Sequence, residues 1–327
     1  LPEWHKNATI YEVNLRHYTP EGTFNAFAAH LPRLKNMGID ILWLMPIHPI
    51  SEAKRKGELG SPYAVADYKD VNPDYGTMDD FKMLLDSIHN LGMHCIIDWV
   101  PNHTGWDNPW ITEHPDWYTQ DKDGNIVDPQ NPETGESWGW TDVADLNYEV
   151  PEMRLAMIDA MRFWTKDIGI DGFRVDVAHG VPVDFWEQCA QSLYADGPVF
   201  LLAEAEIPAL RNTKAFVMDY GWEMHHLFNE IAKSQGANRS ASATLQQGNL
   251  VEGDEQEVEK KTALDIDQLL AQKEEQYEFG YQMHFTSNHD ENSWAGTEFA
   301  RMGDGHKAFA VLAATLAAGI GRDHTAN

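Results

Sequence analysis

The 327-residue chain has few cysteines, few basic residues and no long apolar run. Two cysteines, Cys95 and Cys189, are too few for a disulfide framework, and no CxxC metal pair is present. No stretch of about 18 apolar residues occurs, so the sequence predicts no membrane-spanning helix. The chain has 24 basic and 52 acidic residues and a net charge of −28, which argues against nucleic acid or anionic lipid as a partner.

Composition leaves two questions open. The acidic excess fits a solvated acidic surface, and it also fits adaptation to salt, which would screen the self-repulsion. No signal peptide is visible, but the chain begins at Leu1 rather than Met. A leader removed during export to the periplasm or the medium is therefore favoured over a cytoplasmic location.

Short β-branched runs alternate with amphipathic stretches, which predicts βα units around a parallel sheet. Seven such strands favour a TIM-type (β/α)8 barrel over an open sheet. The predicted strands are Ile10–Arg16, Ile41–Pro46, His94–Val100, Gly172–Val177, Val199–Glu204, Ala215–Asp219 and Gln282–Ser287. The predicted helices are Thr23–Met37, Met78–Leu91, Pro151–Ile168, Pro182–Tyr194, Trp222–Ser234 and Gly305–Leu316.

Three segments depart from this alternation. Residues 102–148 have no helical period and are too long for an ordinary loop, so a small inserted domain is predicted between barrel parts 1–101 and 149–327. Residues 235–276 are polar and charged, which predicts a surface excursion with one helix near Thr262–Glu275. After Leu316 the chain is too short and too polar for an eighth strand, so the barrel is predicted to be incomplete there.

Four apolar runs break into a carboxylate where a predicted strand ends: at Asp98, Asp176, Glu204 and Asp290. Helix caps and ion pairs explain most single cases, but four in one chain indicate an active site, because catalytic groups of such barrels lie at these strand ends. Paired carboxylates suit glycoside cleavage, in which one attacks the sugar and the other, protonated, serves the leaving oxygen.

Arg174 lies two residues before Asp176, on the same strand face, and is predicted to keep that carboxylate ionised as the nucleophile. Glu204 follows an apolar run, an environment that raises a carboxyl pKa and suits a general acid. Glu206 is the alternative acid, since it has the same side-chain direction, but the apolar run favours Glu204.

Together these segments resemble the alpha-amylase family of glycoside hydrolases (family 13) over nearly the whole chain. The matching blocks are Asp98–Thr104, Gly172–Asp176, Glu204 and Asn288–Asp290, with Asp142–Asn147, Ile10–Pro46 and Ser61–Tyr63 as further matches. The resemblance implies Asp176 as nucleophile, Glu204 as acid/base and Asp290 as transition-state stabiliser. It implies the retaining spacing of ~5–5.5 Å between the two working carboxyls. Tyr63, Asp98, His103, Arg174 and His289 would bind the sugar at the cleavage point.

The resemblance also carries departures and weaker implications. Many family members have Lys-His three and four residues after the nucleophile, where this chain has His179-Gly180; His179 is predicted to replace the Lys on the acceptor side. Asn102, Asp142 and Asp145 are candidate calcium ligands, although Asn102 is equally explained as a turn cap. The sequence predicts no carboxyl-terminal β domain of the kind usual in the family, and a homodimer that completes the barrel is a hypothesis.

The predicted activity is therefore retaining hydrolysis of α-1,4 bonds in starch-like glucans or maltooligosaccharides. A transglycosylase, or an oligosaccharide-specific α-glucosidase or neopullulanase-like enzyme, is the alternative on the same site. A non-catalytic sugar-binding scaffold would be marked by loss of Asp176, Glu204 or Asp290, and all three are present. A phosphate-using aldolase-like barrel needs a basic or glycine-rich cradle late in the chain, which is not evident.

Overall fold

A computed structural model describes residues 2–131, 133–234 and 260–316. The chain divides into two compact units, Leu1–Val217 and Met218–Asn327. None of the described helices combines the length and the apolar character needed to cross a membrane.

The first unit is built on five parallel strands in the order β1-β2-β3-β6-β7. Their bounds are β1 Ile10–Val13, β2 Ile41–Leu44, β3 His94–Trp99, β6 Gly172–Val175 and β7 Phe200–Ala203. Strands β2, β6 and β7 are buried at every position, as parallel strands covered on both faces require. The sequence predicted all five strands, each slightly too long at its carboxyl end.

Helices alternate with these strands. They are α1 Leu15–Tyr18, α2 Phe24–Ala28, α3 Leu31–Asn36, α4 Met78–Asn90, α5 Trp110–Glu113, α6 Pro151–Arg162, α7 Val183–Asp196 and α8 Pro208–Asn212. Helix α4 shows how the sequence directs them: Thr77 and Asp80 form a capping box, and Phe81, Leu84, Leu85 and Ile88 bury one face at helical spacing. Helix α6 continues as a π-helical turn over Phe163–Ile168, and Gly169, at a φ of 93°, ends it.

One predicted helix is wrong in its continuity. Thr23–Met37 forms two helices, α2 and α3, instead of one. Pro32 has no N–H to bond the carbonyl of Ala28, so α2 ends there and α3 restarts with the proline in its first turn.

Between β3 and α6, the predicted inserted segment forms a short antiparallel pair, β4 His103–Gly105 with β5 Val143–Asp145. This pair, helix α5 and the turn Pro115–Trp117 are the regular structure in the described part of residues 102–148. The segment lies within the first unit, and its status as a separate domain stays a prediction.

The second unit contains a parallel pair of strands, β8 Met218–Tyr220 and β9 Tyr281–Met283. Its helices are α9 Trp222–Ser234, α10 Ala263–Gln276, α11 His289–Trp294, α12 Glu298–Met302 and α13 His306–Thr315. The predicted helices at Trp222–Ser234, Thr262–Glu275 and Gly305–Leu316 are present within a residue or two of their expected ends. The rest of the predicted excursion, residues 235–259, and the predicted lack of an eighth strand after Leu316 fall outside the described residues.

Candidate active site

Three adjacent parallel strands bring the candidate residues of the first unit together. Asp98 of β3 is the register partner of Arg174 of β6, and Val175 of β6 is the partner of Ala203 of β7. Asp176 and Glu204 directly follow β6 and β7. Three predicted carboxylates therefore lie at one edge of the sheet, at the strand ends where α/β folds place their chemistry.

Gly172 allows β6 to lie this close to β7. A Cβ on Gly172 would meet the carbonyl oxygen of Phe200 at 1.9 Å, well inside van der Waals contact. Glycine at the first position of β6 is therefore required by the strand pairing that aligns Arg174 and Asp176 with Glu204.

Arg174 links all three carboxylates. Its Nη1 donates to Asp98 Oδ1 at 2.8 Å and to Asp176 Oδ1 at 2.9 Å, and its Nη2 lies 2.7 Å from Glu204 Oε1. The Arg174 side chain is fully buried, and the guanidinium also stands 5.0 Å from the centre of the Trp43 ring. A planar guanidinium with several fixed donors suits this arrangement, because one group orients three acids at once.

Asp98 is held from two further sides. Trp43 Nε1 and the Tyr63 hydroxyl each donate to Asp98 Oδ2 at 3.1 Å. Burial, and then the Asp98 charge, raise the pKa of the Tyr63 phenol well above its usual range, so Tyr63 stays a hydrogen-bond donor. The sequence motifs did not indicate Trp43 as a site residue. Trp43 could have been found because its indole N–H lies on the fully buried strand β2, next to β3, and a buried N–H needs a hydrogen-bond partner.

The protonation of Asp176 differs from the simple expectation. Arg174 lowers the pKa of Asp176, as predicted, but burial and then the Glu204 charge outweigh it and raise that pKa well above its ordinary value. Asp176 therefore loses its proton at a higher pH than an isolated aspartate does.

Glu204 has a polar environment and not the apolar one that the sequence suggested. Beside Arg174, its Oε2 accepts a hydrogen bond from the backbone N–H of Val177 at 2.7 Å. Val177 reaches this geometry in the left-handed region, with φ 44° and ψ 46°, which is unfavourable for a β-branched residue. The strained turn after Asp176 thus aims a donor at the carboxylate on the neighbouring strand.

His103 and His179 have contrasting environments. His103 begins β4 and is buried, with its Nδ1 3.2 Å from Asn102 Nδ2. Burial lowers the pKa of His103 to about 4, although the Asp142 charge and a backbone hydrogen bond at Tyr63 oppose the shift. The ring is therefore neutral at neutral pH. His179 is exposed in the turn Ala178–Gly180, three residues after Asp176.

Two of the three candidate calcium ligands, Asp142 and Asp145, contact other side chains. Asp142 pairs with Lys56 at 3.3 Å, while Asp145 accepts a hydrogen bond from the Thr119 hydroxyl at 2.7 Å. Burial raises the pKa of Asp145 to about 6, although the hydrogen bond from Thr119 opposes the shift. In the described ranges no group of three or more His, Cys, Asp or Glu side chains suits a metal ion. Calcium therefore stays a prediction from the resemblance, without support from these side chains.

The remaining candidates, His289 and Asp290, lie on the second unit. They form the first turn of α11 and not the end of a strand, because β9 already ends at Met283. Asn288 caps this helix by accepting from the N–H of Glu291 at 2.8 Å, and His289 Nε2 lies 3.5 Å from Asp290 Oδ2. Their predicted roles stay predictions.

A profile of the alpha amylase catalytic domain matches residues 6–319. Among curated proteins, an alpha-1,4-glucan:maltose-1-phosphate maltosyltransferase of Rhodospirillum rubrum is 35% identical over 220 residues, which is 61% of this chain and 31% of that protein. Alpha-amylase 3 of Dictyoglomus thermophilum is 32% identical over 226 residues, or 62% of this chain and 44% of the relative. The chain thus spans less than half the length of these curated relatives.

Solved structures agree with this match. An alpha-amylase from Lactobacillus plantarum is 33% identical, with a TM-score of 0.71 over 87% of this chain and 64% of that one. A maltogenic alpha-amylase from Thermotoga neapolitana has the same identity and TM-score over 88% of this chain and 60% of its own. The predicted fold class, an α/β barrel of the TIM type, is confirmed.

Proposed function

The chain belongs to the alpha-amylase family, and on that premise we propose that it is a retaining glycoside hydrolase of α-1,4-glucosidic bonds in starch-like glucans or maltooligosaccharides. The observation that carries the proposal is the set of three buried or nearly buried carboxylates around Arg174. A cationic anomeric centre develops in glycoside cleavage, and nearby negative charge stabilises it.

Each step of the double displacement has a residue in this arrangement. Asp176 Oδ attacks the anomeric carbon while Glu204 gives its proton to the leaving oxygen, which breaks the glycosidic bond and forms a glycosyl ester on Asp176. Glu204, now ionised, then takes a proton from water as the water oxygen attacks the same carbon and releases Asp176. Arg174 keeps both carboxyls in place throughout.

The Asp98, Tyr63 and His103 side chains have the character of ring-hydroxyl ligands. The Asp98 carboxylate can accept hydrogen bonds from sugar hydroxyls, and the Tyr63 phenol and the neutral His103 ring can donate or accept them. None of the three adds positive charge beside the developing cation. Because Asp98 shares Arg174 with Asp176, a sugar bound through Asp98 would be positioned against the nucleophile.

Transfer to a sugar acceptor is the second candidate. Several of the similar curated proteins, that of Rhodospirillum rubrum among them, are named as maltosyltransferases that use maltose 1-phosphate and α-1,4-glucan. The same glycosyl ester on Asp176 serves either outcome, since a glucan hydroxyl replaces water in the second step. His179 lies exposed near Asp176, where an acceptor could meet it.

Reducing-sugar release from soluble starch tests the proposal, with Asp176→Asn and Glu204→Gln as variants. Both are expected to lose about 10³-fold or more in kcat, as members of an interdependent catalytic set do. Phosphate release from maltose 1-phosphate, with and without a glucan acceptor, separates the two candidates. Release that requires the acceptor, with no reducing sugar from starch, would favour transfer and contradict the hydrolase proposal.

A further inference from the structure

Two of the three strongly exposed tryptophans among the described residues lie two positions apart in the inserted segment. Trp138 is 52% exposed and Trp140 is 39% exposed; the third, Trp294, belongs to α11 of the second unit. The Trp138 and Trp140 rings lie in roughly parallel planes, 29° apart, with their centres separated by 6.4 Å. Two large apolar rings kept in water next to each other indicate a surface that binds something.

The backbone that carries these rings is fixed from several sides. Lys56 Nζ donates to the carbonyl of Gly139 at 2.5 Å and pairs with Asp142 at 3.3 Å. The indole N–H of Trp106 donates to the carbonyl of Thr141 at 3.1 Å, and Lys54 covers the Trp106 ring. The segment is therefore held while both Trp rings remain exposed, which is the arrangement expected of a preformed binding surface.

This surface continues into the candidate active site. The Trp140 ring meets the His103 ring edge-on with 5.9 Å between their centres, and His103 is a predicted sugar ligand. A polymer that enters the site past His103 would therefore meet Trp140 and then Trp138. Aromatic faces pack well on the apolar faces of pyranose rings while the sugar hydroxyls stay in water.

We propose that Trp138 and Trp140 form an aromatic platform that binds an α-glucan chain beyond the sugar at the cleavage point. The inference rests on the proposed function, because it takes the occupant of the active site to be an α-glucan. It adds a preference for long chains over disaccharides. Lys56 acts as a positioning residue, since it fixes Gly139 between the two rings.

The test measures binding of maltose, maltotriose and maltoheptaose by calorimetry to the Asp176→Asn protein, which leaves the ligands intact. Trp138→Ala or Trp140→Ala in that background is expected to weaken maltoheptaose binding about threefold to tenfold and maltose binding far less. Trp138→Phe keeps an aromatic face and should recover most of the loss. Lys56→Met should weaken maltoheptaose binding as well, because the platform loses its anchor.

Leu155→Ala is the matched control, since Leu155 is 58% exposed and lies on α6 outside the site. Equal losses for maltose and maltoheptaose, or no loss in either Trp variant, would overturn the platform. Failure of the proposed function is distinguishable, because wild-type protein would then release no reducing sugar from starch, whatever the Trp variants bind. If the wild-type enzyme is active and the Trp variants bind maltoheptaose as tightly as the parent protein, only the platform proposal is wrong.

Discussion

Replacing Arg174 by Gln should destabilise the protein strongly and in a pH-dependent way. The change removes a fully buried guanidinium within 2.9 Å of Asp98, Asp176 and Glu204, and it leaves their carboxylates uncompensated. Breaking a buried pair in this way costs about 3–5 kcal/mol at neutral pH. At about 2–4 °C per kcal/mol for a large domain, the melting temperature should fall by roughly 6–20 °C.

The sign of the pH dependence follows from the pKa of Asp176. That pKa is already raised in the folded protein, by burial and then by Glu204, and loss of Arg174 raises it further. A carboxyl with a raised folded-state pKa favours folding at low pH and opposes it as pH rises through that pKa. The stability difference between Arg174→Gln and wild type should therefore shrink as pH falls below neutral.

Thermal melts of both proteins between pH 5 and 8 measure this difference. Arg162→Gln is the control, since Arg162 forms an exposed pair with Asp196 and its loss should change the melting temperature far less. A difference that stays constant over this pH range, or an Arg174→Gln protein as stable as wild type, would refute the reasoning.

Three further predictions follow from other contacts. Gly172→Ala should destabilise the protein by several kcal/mol in urea unfolding, because its Cβ would meet Phe200 O at 1.9 Å; a loss under about 0.5 kcal/mol would contradict this. Burial raises the pKa of Asp171, but hydrogen bonds from His89, His94 and the Cys95 N–H hold it at about 2. Asp171→Asn should therefore lower the free energy of unfolding by about 2 kcal/mol at pH 7 and by progressively less below pH 4. An equal loss at pH 3 and pH 7 would contradict this. Arg301→Lys should lower the melting temperature, because Arg301 donates to the carbonyls of Thr286 and Gly296 on either side of α11; an unchanged melting temperature would contradict this.

The strands and the order of the chemistry could be predicted because they depend on local pattern. An apolar run that ends at a carboxylate predicts both a buried parallel strand and a polar group at its end, as at Asp98, Asp176 and Glu204. The register of β3, β6 and β7 then brings these groups together. The relation of Arg174 to Asp176 follows from strand alternation alone.

The electrostatics of the site could not be predicted, because they depend on contacts between strands. A single strand shows Arg174 next to Asp176, but not that the same guanidinium serves Asp98 and Glu204. Pro32 indicated the break between α2 and α3, but the helical periodicity on both sides of it favoured one continuous helix. The turn at Val177 was not readable, since its left-handed conformation contradicts the preference of valine.

The position of the Asp290 motif shows a similar limit. The run from Gln282 to Ser287 reads as one strand, but β9 ends at Met283 and the motif caps a helix at Asn288. Asn288 followed by two acidic residues is a helix start signal, and the strand pattern before it obscured that signal.

Trapping the glycosyl ester on Asp176 is the decisive test of a retaining mechanism. Glu204→Gln protein is treated with an α-maltosyl fluoride, whose fluoride leaves without acid catalysis, and the digested protein is analysed by mass spectrometry. A maltosyl adduct is expected on the peptide that contains Asp176, and none when Asp176→Asn is added. An adduct on another residue, or turnover with an inverted anomeric product and no adduct, would contradict it.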